Sequence, residues 1–258
     1  MRISPEDVEQ LRTAKKILEN PGLAAKFTNL VGAPIEKGLV LLPGDWQKKV
    51  SLATREALMM ALKSALLTMG SGIREARPGW HKFAAALSGG IGGAFGLPAL
   101  MVELPVSTTI ILRSIADIGR SQGEELSTAQ AQLACLEVFA LGGPSRQDDS
   151  SESGYFAVRS ALARAVSEAS GYLAEKTVVE EGAPALVRLI AAVAARFQVQ
   201  VSEKAAAMVV PIIGAIGGGG INLLFIDHFQ NMSRGHFAVR KLERKYDQTL
   251  VRDTYEAL

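Results

Sequence analysis

Asp227 and His228 stand side by side where an uncharged, glycine-rich run, Ala205 to Ile226, gives way to a polar segment. A carboxylate beside an imidazole at such a junction suits general acid–base chemistry or a polar ligand pocket. If the chain is helical from about Gly219 to Tyr246, then Ile221, Phe225, His228, Met232, Gly235, Val239 and Leu242 share one face at spacings of three and four. His228 then lies on an apolar stripe, where a histidine is more often packed in a core than bound to a ligand. Asn222, Phe229 and His236 form a second line at spacing seven, and Asp227, Gln230 and Arg234 share a more polar side. His228 and His236 are two turns apart, about 12 Å of helical rise, so they do not readily grip one ion. No metal and no cofactor is expected.

A second polar set interrupts an earlier apolar run. Glu103 follows the uncharged stretch Phe83 to Val102, and Ser107, Thr108, Arg113, Ser114 and Asp117 come after it. Arg113 and Asp117 are four apart and can pair on one helical face. Buried charges need partners, so the sharper reading gathers Glu103, Arg113, Asp117, Asn222, Asp227, His228 and His236 into one interhelical polar pocket. The motifs of nucleophilic or zinc chemistry are missing: the sequence holds no GxSxG, no HExxH and a single cysteine, Cys135, inside the apolar run AQLACLEVFAL. An enzyme is unsupported, with a hydrolase built on this pocket as the form it would take.

The elements that must position these residues read as helices. Ser4 followed by Pro5, Glu6 and Asp7 is a helix start: a capping hydroxyl, a proline suited to the first turn, and acids at the positive end of the dipole. That helix runs to about Asn20. A Gly- and Pro-interrupted helical stretch then ends near Pro43, and a long amphipathic helix covers Asp45 to about Met69. Ser127 is a cap for a helix through Leu141, and Tyr155–Glu175 and Ala183–Gln200 read as two more. No long alternating run and no Asn-Gly or Asp-Gly hairpin turn argues for strands. The expected fold is therefore all-α, a multi-helix bundle with two glycine-rich broken-helix hairpins. It forms one domain over 1–258, or two pseudo-repeated halves joined by a flexible loop at 142–154. The second alternative rests on a faint likeness between SIADIGRSQG (Ser114 to Gly123) and FIDHFQNMSRG (Phe225 to Gly235).

Composition narrows the function classes. The chain has 258 residues, 48% hydrophobic and 21% charged, with a formal net charge of +2, and a mean hydropathy of +0.18. So small a net charge, dispersed basic residues and few aromatics argue against nucleic acid. One cysteine excludes an intrachain disulfide, and the charged N-terminus lacks the pattern of a secretory signal. A cytoplasmic protein is expected, with association at the inner face of the cell membrane as a further step.

That step comes from the two uncharged stretches, each as long as the roughly 20 residues of a membrane-spanning helix. Gly89, Gly90, Gly92, Gly93, Gly96 and Pro98 interrupt the first, and Pro211, Gly214 and the run Gly217, Gly218, Gly219 and Gly220 interrupt the second. Each interior glycine disfavours a helix by about 1 kcal/mol relative to alanine. Two readings stay open: broken helices buried where missing side chains let backbones approach, or hairpins that lie on or enter a membrane. Arg240, Lys241, Arg244 and Lys245 follow the second stretch, where basic residues would meet anionic lipid, although Glu243 and Asp247 dilute them.

Three long stretches carry a resemblance: LPALMVELPVSTTIILRSIADIGRSQGE, CLEVFALGG, and VPIIGAIGGGGINLLFIDHFQNMSRGHFAVRKLERKYD. In these the chain resembles the EcsC family over most of its length. The resemblance implies an association with an ABC transporter's gene neighbourhood, but it carries no established reaction and no catalytic residues. The Gly/Pro-rich pattern is also similar to helical hairpins attached to membrane-associated GTPases, yet no GxxxxGK[ST] loop is present. The leading expectation is a non-enzymatic, membrane-peripheral or transporter-associated helical protein whose glycine-rich hairpins contact lipid or a partner. The alternatives are a lipid or apolar small-molecule binding module and the hydrolase above. Membrane lipid, a membrane transporter and a second copy of the chain are the partners to be considered.

Overall fold

The computed structural model describes residues 3–19, 22–68, 96–143, 154–175, 180, 182–209 and 218–258. Among these the fold is all-α, with ten helices and no strand. They are α1 (Pro5–Leu18), α2 (Leu23–Val31), α3 (Ile35–Val40), α4 (Trp46–Thr68), α5 (Gly96–Ser121), α6 (Ala129–Glu137), α7 (Gly154–Glu175), α8 (Pro184–Val209), α9 (Gly218–Lys245) and α10 (Gln248–Ala257). A single 3-10 turn, Val138–Ala140, extends α6. Residues 83–95 and 210–217 of the glycine-rich stretches, Gly217 included, and 144–153 of the expected loop lie outside the described residues.

The local signals act as the sequence suggests, with shifts at the ends. The Ser4 hydroxyl oxygen accepts from the Asp7 amide at 3.2 Å, and Pro5 opens α1. At α6 the cap is Thr128 rather than Ser127: its hydroxyl oxygen accepts from the Ala131 amide at 3.2 Å. The expected break in the first glycine-rich stretch does not persist to its end, since α5 starts at Gly96 and continues through Pro98 and Pro105 to Ser121. α8 runs nine residues past Gln200, the expected end, to Val209. α10 was not expected; the Asp247 carboxylate starts it by accepting from the Thr249 and Leu250 amides.

α8 is the hub, packing against α2, α3, α4, α5, α7, α9 and the 3-10 turn. It is long and apolar enough by composition to cross a membrane, but Leu186, Leu189, Val193, Phe197, Val201 and Ala205 are all buried inside the bundle. Phe139, Phe197, Phe225 and Phe229 form its aromatic centre, with ring centroids 4.9 to 6.1 Å apart. α9 returns antiparallel to α8, bringing His228 to Gln200 and Phe225 to Lys204. α5 lies beside α9 in the same direction: Gln230 meets Ser114, Ser233 meets Ile115, and Arg240 meets Glu124. The two sequence segments of faint likeness thus lie next to each other. α1 and α10 close the side of α9, where Asp7 accepts from Lys245 and Tyr246, and Lys15 donates to the Tyr255 carbonyl.

Candidate functional site

The seven residues expected to share one pocket are distributed over separate places. Arg113 and Asp117 are exposed. They do not pair as expected; Asp117 accepts from Arg120 at 3.1 Å on the surface, one turn further along α5. Asp227 is half-buried and accepts from Asn231 at 2.9 Å, and Asn231 in turn accepts from Arg234 at 2.7 Å. Asn222 is buried near the start of α9. Glu103 accepts from Lys204 of α8 at 3.1 Å. His228 and His236 enter buried polar networks, and these are two different networks.

His236 is fully buried, with Nδ1 3.0 Å from the Tyr155 hydroxyl and Nε2 3.8 Å from Glu137 Oε2. Arg159 stands beside Tyr155 and grips Glu243 through two bonds of 2.6 and 3.1 Å. Burial, joined by the charges of Arg159 and Arg240, holds the imidazole well below its usual range, so it is neutral. Burial also raises the carboxyl of Glu137 and lifts the Tyr155 hydroxyl beyond its ordinary value. This tyrosine is therefore not a nucleophile at neutral pH.

His228 lies against the turn that follows α6. The Gln200 amide nitrogen donates to the Leu141 carbonyl at 2.6 Å and lies 3.4 Å from His228 Nε2. Burial, with the nearby Lys26 charge, depresses His228 to about 4. Gly142 makes this packing feasible: its φ is +74°, and a Cβ there would lie 2.6 Å from His228 Cε1 and 2.7 Å from Met232 Sδ. Only glycine serves both the left-handed turn and the close approach. His228 Nδ1 and Gln200 Oε1 have no hydrogen-bond partner.

The same turn walls a cleft of about 630 Å³ between α2, α3, α7 and α8, into which Glu203, Glu36, Arg196 and Tyr155 also reach. Glu203 is buried, and its carboxyl is pushed up to about 7 by burial and by the neighbouring charge of Glu36. Sequence reading missed this residue because it ended α8 at Gln200. The available signal was the charged pair Glu203 and Lys204 inside the otherwise apolar VQVSEKAAAMVV. Cys135 is fully buried and its thiol is raised to about 12 by burial, so it is chemically inert in the native fold.

The expected basic lipid-facing set is mostly committed elsewhere. Arg240 and Arg244 both bond Glu124, and Lys245 bonds Asp7 at 2.7 Å. Burial raises the Glu124 carboxyl, but the two guanidiniums outweigh it and hold it below its usual value. Of the four, Lys241 is left exposed without such a role. Gly218, Gly219 and Gly220 begin α9.

Exposed apolar side chains concentrate at one end of the bundle. That end is marked by the last turns of α8: Gly38 of α3 packs directly on the Ala206 carbonyl, Trp46 donates to Ser202 at 3.0 Å, and Lys204 holds Glu103. Around it stand Val40, 84% exposed, Val102, 79%, and Leu223, 68%, with Leu39, Leu41 and Val106 close by in sequence. Residues 6–242 match the family model described as the EcsC protein family. No curated protein and no solved structure matches the chain.

Proposed function

We propose that this chain, which belongs to the EcsC protein family, is a non-enzymatic helical protein that settles with the α3–α5–α9 end of its bundle on a membrane surface. The observation that carries this reading is the gathering of Val40, Leu41, Val102 and Leu223 as exposed side chains around the last turns of α8. Val102 closes the first uncharged stretch and Leu223 lies inside the second. Burying a valine or leucine in hydrocarbon contributes roughly 1.5 to 3 kcal/mol. Four such residues are enough for reversible attachment, and they are fewer than a spanning segment needs.

The commitments of Arg240, Arg244 and Lys245 to Glu124 and Asp7 separate this reading from an electrostatic one. Apolar contact is its main term, and the charge of the lipid is secondary. In this reading the protein works at the inner face of the cell membrane. The test is vesicle flotation with phosphatidylcholine alone and with added phosphatidylglycerol. The wild type is expected to float with both. Val102→Asp and Leu223→Asp remain behind, while Val187→Asp, at an exposed site on the first turn of α8, floats like the wild type. Absence of the wild type from both vesicle fractions, or equal loss in all three variants, overturns the proposal.

A further inference from the structure

Glu203 stands apart from the buried carboxylates that hold a cation. Two other buried carboxylates have a positive partner, since Glu124 has Arg240 and Arg244 and Asp7 has Lys245, while Glu137 faces the neutral His236 at 3.8 Å. Glu103 holds Lys204, the residue next to Glu203 in sequence, whose ammonium turns away toward α5. Glu203 is only 6% exposed, yet its Oε2 has no hydrogen-bond partner; among the described residues it is the one carboxylate with such an atom. A buried acceptor without a donor is unfavourable unless something else supplies one. Glu203 lines the cleft with Glu36, which stands exposed on α3 at its rim.

We propose that this cleft binds a small molecule bearing a primary ammonium group, with Glu203 on the floor and Glu36 at the rim accepting from the nitrogen. An ammonium offers three donors on a compact positive charge, which satisfies the orphaned Oε2 and relieves the repulsion between the two carboxylates. The cleft volume of about 630 Å³ lies within the range of small-molecule sites. Leu18, Ala25 and Val158 give it an apolar wall for a short carbon chain. A metal ion suits it less, because among the described residues no three His, Cys, Asp or Glu side chains converge on one point. Arg196, on α8 two turns before Glu203, adds a positive charge at about 10 Å along the helix, which leaves the Glu203 end as the cation's place.

Isothermal titration calorimetry of the full chain at pH 8 tests this with four probes: n-pentylammonium, tetramethylammonium, 1-pentanol and magnesium ion. Saturable binding of n-pentylammonium is expected, with at least tenfold weaker binding of the other three. Tetramethylammonium has the charge without donors, pentanol the chain without the charge, and magnesium the charge without the chain. Glu203→Gln is expected to weaken n-pentylammonium binding at least tenfold without lowering the temperature of thermal melting. Should Glu203→Gln fail to fold, Glu36→Gln at the exposed rim gives the same readout with a smaller loss. The proposal is overturned by no binding of n-pentylammonium, by equal binding of pentanol, by tighter binding of magnesium, or by affinity unchanged in the variants.

Discussion

Lys204 and Glu103 join the hub helix to α5 across 3.1 Å, with the lysine 1% exposed and its ammonium 4.8 Å from the centre of the Phe225 ring. Burial lowers the lysine's proton affinity and the carboxylate partly restores it. Removing one member of a buried pair strands the other, at a cost of about 3 kcal/mol, whereas removing both is often close to neutral. Glu103→Gln is therefore expected to lose about that much in urea denaturation at pH 7. The double variant Glu103→Gln/Lys204→Met should regain at least half. A lysine whose affinity is depressed in the fold destabilises it as pH falls, so the deficit of the single variant shrinks toward pH 10. A deficit that is the same at both pH values, with no recovery in the double variant, would remove the pair from the account of stability.

Gly38 is the contact point of α3 on α8: a Cβ on it would collide with the Ala206 carbonyl group. Gly44, six residues on, has nothing within 4 Å of its own Cβ position. Gly38→Ala is expected to destabilise by about 1 to 3 kcal/mol, the range for overpacking, and Gly44→Ala to stay within about 0.5 kcal/mol of the wild type. Thermal melting of the two variants side by side checks this. Equal melting temperatures would mean that α3 can lift away from α8 at little cost.

A fall and a rise in pH act on different buried groups. His228 titrates at about 4 in the fold, under burial and the charge of Lys26, against 6.5 ordinarily. The unfolded chain therefore takes up that proton first, and stability is lost as pH falls from 6.5 to 4, by about 1.4 kcal/mol per unit. Glu203 is raised to about 7 from 4.5 by burial and by Glu36. Here the native state keeps the proton longer, so its contribution is present below 4.5 and lost as pH rises to 7. His228→Gln is accordingly expected to gain on the wild type as pH falls through 6.5 to 4, and Glu203→Gln as pH rises through 4.5 to 7. Denaturation at four pH values reads both; parallel curves for either variant and the wild type would contradict the corresponding assignment.

The helices were legible because their signals are local: the Ser4–Pro5 start, the apolar period from Val50 to Ala65, and the stripe from Ile221 to Leu242, whose seven members are all buried. Asp247 was passed over as a cap because it follows so closely on α9 that the chain read as one element ending. The site was much less legible. Arg113 and Asp117 fit the spacing of a pair, but the outward face of α5 lets Asp117 reach Arg120 instead. Glu203 and Glu36 lie far apart in sequence and meet through the packing of α3 on α8, which no periodicity encodes. Glu124 likewise receives its two arginines from more than a hundred residues downstream.

The fastening of α1 to α9 and α10, distant in sequence, has a consequence for synthesis. Asp7 waits for Lys245 and Tyr246, and Lys15 for the carbonyl of Tyr255, partners separated from them by 238 to 240 residues. At roughly 5 to 20 residues per second, the first helix is made on the order of ten seconds or more before its partners leave the ribosome. Through that interval Leu11, Ala14 and Leu18 have no α9 to cover them, although α1 packs on that helix in the finished fold. Unfinished chains thus present α1 with its apolar face uncovered, a surface that a holding chaperone would bind.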